Sequence, residues 1–276
     1  MITEHTPCVD VGEVVETGTC KITEEERQAM FIIFKETLAR YKFRWNALRA
    51  IMAATGAVIS GSTALAVLLG GEFVPQDLDI YVSAKGFAAM MVFLTDHGYQ
   101  VVILRPRYAH KKRYAGSKNI LTLKRDGEEQ KIDLIETTEA NVLTTITQFH
   151  STSVMNYIAF YGIVCLYPEW TMRRNGLVTR TNVPHEILDK YRRRGFKIAR
   201  TSAELEIYDI NHYCGKHICC PRMRRDLQDG LSLFIPFDDR ATCIRELEDN
   251  ENMKLQWTLR EAKECRKAVK RSAQVF

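Results

Sequence analysis

Three aspartates have the residue type and spacing that could support metal chemistry. Asp77 and Asp79 lie two residues apart in DLDIYV, a strand-like segment. Because side chains alternate along a strand, both carboxylates project from one face while Leu78 and Ile80 project from the other. Asp133 lies inside a second strand-like segment, KIDLIE. Carboxylates among apolar residues are costly unless cationic side chains or metal ions compensate them, so a partner is expected.

A glycine-serine turn precedes these strands. Ser60-Gly61-Ser62-Thr63 lies between an apolar segment and a short helical one. Glycine lets the backbone approach a ligand closely, and the amides at a helix start suit a phosphate, as do the hydroxyls of Ser62 and Thr63. Taken alone, an Asp-x-Asp pair is more often a strand end that meets solvent or a basic partner, and a Gly-Ser turn is mostly structural. The order of the elements carries the hypothesis: strand, Gly-Ser, helix, Asp-x-Asp strand, then a later strand with one aspartate.

This order resembles the nucleotidyltransferase superfamily, which includes DNA polymerase beta, CCA-adding enzymes and kanamycin nucleotidyltransferases. Ile59 to Ser62 match the family's apolar residue and Gly-Ser, Asp77-Leu78-Asp79-Ile80 match its acidic strand, and Asp133 matches its distal carboxylate. Fourteen residues separate Ser62 from Asp77, somewhat more than is usual in the family. The resemblance covers about residues 57–136.

The resemblance implies a function and assigns roles. Asp77 and Asp79 would hold two Mg²⁺ or Mn²⁺ ions, and Asp133 would complete the ion beside the attacking hydroxyl. Gly61, Ser62 and Thr63 would bind the triphosphate of an NTP. A nucleoside monophosphate would then pass to a hydroxyl acceptor, with release of pyrophosphate. Family members can keep the fold and lose turnover, so a catalytically silent module that binds nucleic acid or a protein partner is the alternative.

A basic segment directly precedes the Asp133 strand. Between Val101 and Arg125 there are eight Lys and Arg residues and no acid. We expect Lys111, Arg113 and Lys118 to bind the triphosphate or a nucleic-acid acceptor, with RNA as the first acceptor to test. The alternative is a solvated basic loop that meets no ligand. Further basic groups occur at 192–194 and at Arg222, Arg224 and Arg225, and each alone is more simply a helix face.

A Cys/His-rich turn offers a second metal hypothesis. Zinc could be bound by Cys214, His217, Cys219 and Cys220, beside His212. Zinc sites usually take a second, distant ligand pair, and this spacing is too cramped for a known finger. The competing interpretation is reduced cysteines packed under a turn that ends at Pro221. A zinc-stabilised interaction module with purely structural carboxylates is therefore a third hypothesis for the chain.

Composition limits the class of protein. The chain has 276 residues, is 46% hydrophobic and 26% charged, and has a formal net charge of +5. These values exclude a disordered chain, collagen and a coiled coil. Two uncharged windows are long enough to suggest membrane spans. Gly56, the Ser60–Thr63 cluster and Gly70-Gly71 divide the first, and polar residues dilute the second, so no membrane partner is expected. The amino terminus lacks a signal peptide, and we expect an intracellular protein of the cytoplasm or nucleus.

The pattern of elements predicts an α+β fold with a mixed sheet flanked by helices. We predict a loose acidic leader at 1–22, a nucleotidyltransferase-like core at 23–170 and a basic, helix-containing C-terminal region at 171–276 that packs separately or as one unit with the core. Most strands are expected before residue 170. Locally, Thr23-Glu24-Glu25-Glu26 predicts a helix start, Asp126-Gly127 predicts a hairpin turn, and Glu139 to Phe149 is predicted to be helical.

Overall fold

One eight-stranded sheet dominates the fold. A computed structural model describes residues 15–17, 20–106, 116–205, 212–213, 215–218, 220–237 and 254–259. The helices of these ranges are α1 (Glu24–Arg40), α2 (Trp45–Thr55), α3 (Gly61–Leu68), α4 (Ala84–Asp96), α5 (Leu143–Ile146), α6 (Pro168–Thr171) and α7 (His185–Arg192). The strands are β1 (Val15–Thr17), β2 (Cys20–Ile22), β3 (Val58–Ser60), β4 (Asp77–Val82), β5 (Gln100–Pro106), β6 (Ser117–Lys124), β7 (Lys131–Thr137), β8 (Asn156–Ala159), β9 (Gly162–Cys165), β10 (Asn175–Leu177), β11 (Lys197–Ala199), β12 (Arg225–Asp226), β13 (Leu233–Pro236) and β14 (Gln256–Trp257). The predicted α+β class is confirmed.

The large sheet is mixed. Its strand order is β13-β9-β8-β3-β4-β7-β6-β5. Neighbouring strands run antiparallel except β4 and β7, which run parallel. A parallel pair needs a long crossover connection, and here α4 and the β5–β6 hairpin lie between the two strands in sequence.

The two faces of the sheet have different chemistry. Leu78 and Ile80 of β4, with Ile132 and Leu134 of β7, lie in a core that also contains buried side chains of α1, α2 and α4. The alternation predicted for DLDIYV is therefore confirmed, since its aspartates belong to the opposite face. The first uncharged window, between Arg49 and Glu72, is also divided as predicted, into the end of α2, β3 and α3. No helix in the described ranges combines the length and apolar character needed to cross a bilayer.

Local signals predict several elements correctly. The Thr23 hydroxyl accepts the Glu26 backbone N–H at 3.2 Å, and the Glu26 carboxylate accepts that of Thr23 at 2.8 Å, which confirms the helix start. β6 and β7 form the predicted hairpin. The helix predicted at 139–149 is wrong, because only Leu143–Ile146 is α-helical. This segment is rich in threonine, whose branched side chain disfavours helix.

The predicted loose leader is wrong in its described part, because β1 and β2 pair antiparallel and Ile22 is buried in the core. Most strands precede residue 170 as predicted, since nine of the fourteen strands in the described ranges lie before it. Beyond residue 170, β13 pairs with β9 at an edge of the large sheet. Strands of two to four residues lack the length to show a clear alternation, which is why the sequence does not predict β1, β2 and β13. The sheet thus takes strands from both sides of the predicted boundary.

A buried arginine ties the C-terminal region to this sheet. Arg225 is 1% exposed, so it does not extend a basic surface with Arg222 and Arg224. Its Nε donates to Asp229 Oδ2 at 2.5 Å, and its Nη2 donates to the Leu166 carbonyl at 3.1 Å. The guanidinium also lies 4.8 Å from the centre of the Tyr167 ring. Removing a buried charge of this kind is costly, because its hydrogen-bond partners are left without a cation and without access to water.

We expect Arg225→Ala to lower the free energy of unfolding by about 3 kcal/mol, because it leaves the Asp229 carboxylate without its cation. Urea denaturation followed by circular dichroism measures the change. Arg224→Ala is the matched control, since Arg224 is exposed one residue away and its removal should cost less than about 0.5 kcal/mol. Equal losses in the two variants would contradict a structural role for Arg225.

Candidate functional site

The parallel pairing of β4 and β7 brings the three aspartates together. Its register sets Asp79 opposite Asp133 and Asp77 opposite Lys131. One carboxylate oxygen from each aspartate lies within 4.8 Å of the other two. Among the described residues, no other cluster of His, Cys, Asp and Glu side chains converges in this way. The side chains therefore converge as the sequence predicts, at a spacing that a metal ion could bridge.

Asp79 has the most strained electrostatic position of the three. It is 9% exposed, and its Oδ1 has no hydrogen-bond partner in the described part of the chain. Burial raises the pKa of Asp79 well above its usual value, and repulsion from Asp77 and Asp133 raises it further. Lys190 and Lys131 act in the opposite direction. A buried carboxylate that has acidic neighbours and an oxygen without a hydrogen-bond partner is suited to binding a cation.

Asp133 is fixed by the neighbouring strands. Thr122 lies opposite it on β6, and the Thr122 hydroxyl donates to Asp133 Oδ1 at 2.5 Å. The second oxygen, Oδ2, lies 3.7 Å from Nη1 of Arg105 on β5. This side chain therefore has a defined orientation before any ligand binds.

The glycine-serine turn lies against Asp79. Ser60 pairs with Asp79 across β3 and β4, and Gly61 follows with φ +66°. A Cβ at Gly61 would collide with Asp79 Oδ2. Both the positive φ and this close approach therefore require glycine. Ser62 lines the cavity beside it, and its buried hydroxyl has no hydrogen-bond partner in the described ranges. Thr63 differs from the expectation, because its buried hydroxyl donates to the Asp77 carbonyl at 3.2 Å and thus supports β4.

These elements open onto one cavity of about 350 Å³, within the usual range for small-molecule sites. Its acidic lining is Asp77, Asp79, Asp133 and Glu186, and its basic lining is Arg105, Lys131, Arg180 and Lys190. Formal charges therefore balance in the wall. The aromatic and apolar lining includes Tyr81, Phe149, Val154, Ile187 and Tyr191. Helix α7 contributes Glu186, Ile187, Lys190 and Tyr191 to this lining, which joins the C-terminal region to the site.

His150 also lines the cavity and is uncharged at neutral pH. Burial lowers its pKa to about 3, and the positive charges of Arg180 and Lys190 contribute to the decrease. Nδ1 of this ring is buried and has no hydrogen-bond partner among the described residues. The site thus contains one neutral polar ring among its charged groups.

Several lining residues were not identified from the sequence. Lys131 lies two residues before Asp133, so strand alternation alone places it on the same face and could have found it. Lys190 and Arg180 have no such local signal, because they reach the site only through the tertiary fold. Of the basic segment, Arg105 lines the cavity.

Of the other predicted binding residues, one is described and lies away from the cavity. Lys118 is outside the cavity lining, and its Nζ pairs with Glu136 Oε1 at 2.8 Å. Lys111 and Arg113 are outside the described residues.

The zinc hypothesis stays a prediction. Cys214 and Cys219 lie outside the described residues. Cys220 is a buried free thiol whose sulfur accepts the Gly215 backbone N–H at 3.2 Å. The rings of His212 and His217 have centroids 6.0 Å apart. Within the described ranges these side chains do not form a metal-ligand cluster.

No protein-family model matches the chain, and no curated protein matches its sequence. The function must therefore be inferred from the geometry of the site.

Gly61→Ala should weaken Mn²⁺ binding at least tenfold, because a Cβ would displace the Asp79 carboxylate. Gly56→Ala is the matched control: Gly56 has φ +67°, and an added Cβ meets nothing within 4 Å. Both variants carry a similar cost of about 1 to 2 kcal/mol for a left-handed residue, so the control accounts for the backbone and the remaining difference reports the collision with Asp79. Titration followed by electron paramagnetic resonance measures the affinity. Equal Mn²⁺ affinity in the two variants would show that the turn does not shape the acidic cluster.

Asp79→Asn should stabilise the metal-free protein at pH 8. The folded-state pKa of Asp79 lies above the unfolded one, so the ionised form destabilises the fold at high pH. That penalty disappears as pH falls through the folded pKa towards the usual value of 3.8, where the wild-type carboxyl is protonated. Thermal unfolding in EDTA between pH 8 and pH 4 should show the difference in Tm shrinking as pH falls. Asp96→Asn, at the exposed end of α4, should show no such trend.

Proposed function

We propose that the chain is a Mg²⁺-dependent nucleotidyltransferase that moves a nucleoside monophosphate from an NTP to a hydroxyl acceptor. The observation that carries the proposal is the convergence of Asp77, Asp79 and Asp133 beside the Gly61-Ser62 turn in one cavity. Mixed sheets of this kind serve many functions, so the fold alone supports the proposal only weakly.

The acidic cluster fits magnesium or manganese. Both ions prefer oxygen ligands, and three carboxylates within 4.8 Å of one another supply them. Asp77 and Asp79 would hold the metal ions, and Asp133 would complete the site next to the acceptor. When bound, the ions would neutralise the triphosphate and activate the attacking hydroxyl.

The charge balance of the cavity supports a metal-bound polyphosphate as ligand. Its four acidic and four basic side chains cancel. A triphosphate adds a charge of about −4, which two divalent ions would offset. The metal ions alone, or the anion alone, would leave the site with a net charge. We therefore expect them to bind together.

The phosphate oxygens have suitable partners on this chain. The Ser62 hydroxyl is a buried donor with no hydrogen-bond partner in the described ranges, and the start of α3 supplies amides and a positive dipole end. Arg180 and Lys190, which also line the cavity, would pair with phosphate oxygens. These groups would hold the triphosphate while its α-phosphorus faces the carboxylates.

Asp133 is the residue we assign to proton transfer. The acceptor oxygen would bond to the α-phosphorus as the bond to pyrophosphate breaks, and its proton would pass to the Asp133 carboxylate. The hydrogen bond from Thr122 fixes the direction in which this carboxylate points. Arg105, a member of the basic segment, lies beside it and would meet an anionic acceptor. RNA with an unblocked 3′ end is the acceptor to test first.

Wild-type protein should release pyrophosphate from at least one NTP in Mg²⁺ or Mn²⁺ with an RNA oligonucleotide as acceptor. Asp77→Ala/Asp79→Ala should reduce the rate at least about 100-fold, because it removes the groups that stabilise charge in the transition state. Asp96→Asn is the matched control and should keep the full rate. Isothermal titration of each NTP, run in parallel, measures binding independently of turnover.

The two readouts separate the alternatives. NTP binding without pyrophosphate release from any acceptor would favour the catalytically silent module. Absence of NTP binding in both metals, or a double mutant that behaves like wild type, would overturn the proposed function.

A further inference from the structure

The cavity lining contains two chemically distinct sets of side chains. The carboxylates and the Gly61-Ser62 turn suit metal ions and phosphates. The second set, which we call the aromatic part, consists of Phe149, His150, Val154, Ile187 and Tyr191. These five side chains include no carboxylate, lysine or arginine. A ligand that contacts both sets must therefore carry anionic groups and a flat, less polar group.

The rings of the aromatic part suit a planar ligand. The Phe149 ring is half-buried, and its centroid lies 5.5 Å from that of Tyr81 at an interplanar angle of 53°. The His150 ring lies 5.4 Å from the Tyr191 ring at 43°. Aromatic side chains bind nucleobases by stacking, with little dependence on which base is present.

His150 adds a directional group to this surface. A buried ring nitrogen without a hydrogen-bond partner is costly, by about 1 to 3 kcal/mol, unless a ligand supplies one. Nδ1 of His150 is such an atom within the described residues. The backbone carbonyl of His150 accepts the Thr179 N–H at 3.0 Å, so backbone pairing fixes the segment that carries the ring.

The charge state of this ring defines the kind of group it binds. Burial opposes protonation of the imidazole, and Arg180 and Lys190 add to this effect, so the ring is neutral, with one donor and one acceptor nitrogen. Phosphate oxygens would pair with the two cations in preference to a neutral ring. An uncharged polar edge, such as that of a nucleobase, is the complement of the imidazole.

We propose that the aromatic part of the cavity binds the nucleobase and that His150 hydrogen-bonds its edge and sets the base preference. The inference rests on the proposed function, because it takes a nucleoside triphosphate as the ligand. It goes beyond that function by assigning a specificity-determining residue and the chemical group that it reads.

The test compares NTPs with inorganic tripolyphosphate, which has the charged end but no base. Binding is measured by isothermal titration in Mg²⁺ without acceptor, for wild type, His150→Ala, His150→Asn and His185→Ala. Wild type should prefer one base. His150→Ala should weaken that NTP by about 3- to 10-fold and narrow the spread among the four, while tripolyphosphate binds unchanged. His150→Asn, which keeps a donor and an acceptor, should retain part of the preference.

His185→Ala is the matched control, because His185 is exposed at the start of α7 and does not line the cavity. It should bind every ligand as wild type does. Phe149→Leu gives the opposite pattern to His150→Ala: it should weaken all four NTPs similarly, because stacking does not read the base edge.

The failures are distinguishable. If wild type binds tripolyphosphate but shows no base preference, or if His150→Ala keeps that preference, the base subsite is overturned and the phosphate site stands. Equal weakening of tripolyphosphate by His150→Ala would assign His150 to the phosphates and also overturn the inference. If wild type binds neither tripolyphosphate nor any NTP, the proposed function fails as well.

Discussion

The register of one parallel strand pair determines the arrangement of the site. β4 and β7 align Asp79 with Asp133, which forces like charges together on a single face. The surrounding residues relieve that repulsion in different ways: Gly61 makes room for a carboxylate oxygen, Thr122 donates a hydrogen bond, and Lys131 and Lys190 supply positive charge. A shift by one residue would point the β7 aspartate into the helix-covered core, so the register and the acidic cluster depend on each other.

The sequence predicts the parts of the site that depend on local periodicity. Alternation places Asp77 and Asp79 on one face, and the capping box locates the start of α1. Both signals act within a few residues, where covalent geometry limits the options. Residues that reach the cavity from α7 or from the Arg180 segment carry no local pattern, because only the tertiary fold brings them to β4. The short strands β1, β2 and β13 are missed for a related reason, since their partners, more than their own composition, make them strands.

Two side chains in the cavity have perturbed charge states. Burial and repulsion from Asp77 and Asp133 raise the pKa of Asp79, so its ionised form favours a bound cation and lowers the stability of the metal-free protein. Burial, with a contribution from Arg180 and Lys190, keeps His150 neutral. Lys190 therefore has two effects, since it stabilises the Asp79 carboxylate and opposes protonation of the imidazole.

The pairing of β13 with β9 has a consequence for how the protein is made. A ribosome releases the chain from its amino terminus, so the strands before residue 170 emerge while one border of their sheet still has unpaired backbone groups. Such a border can recruit strands from other nascent chains and lead to aggregation. Leu233–Pro236 pairs with that border, and the anchor at Arg225 precedes this strand by eight residues. The sheet therefore lacks its last strand until synthesis passes residue 236, which makes the final quarter of the chain a determinant of folding yield.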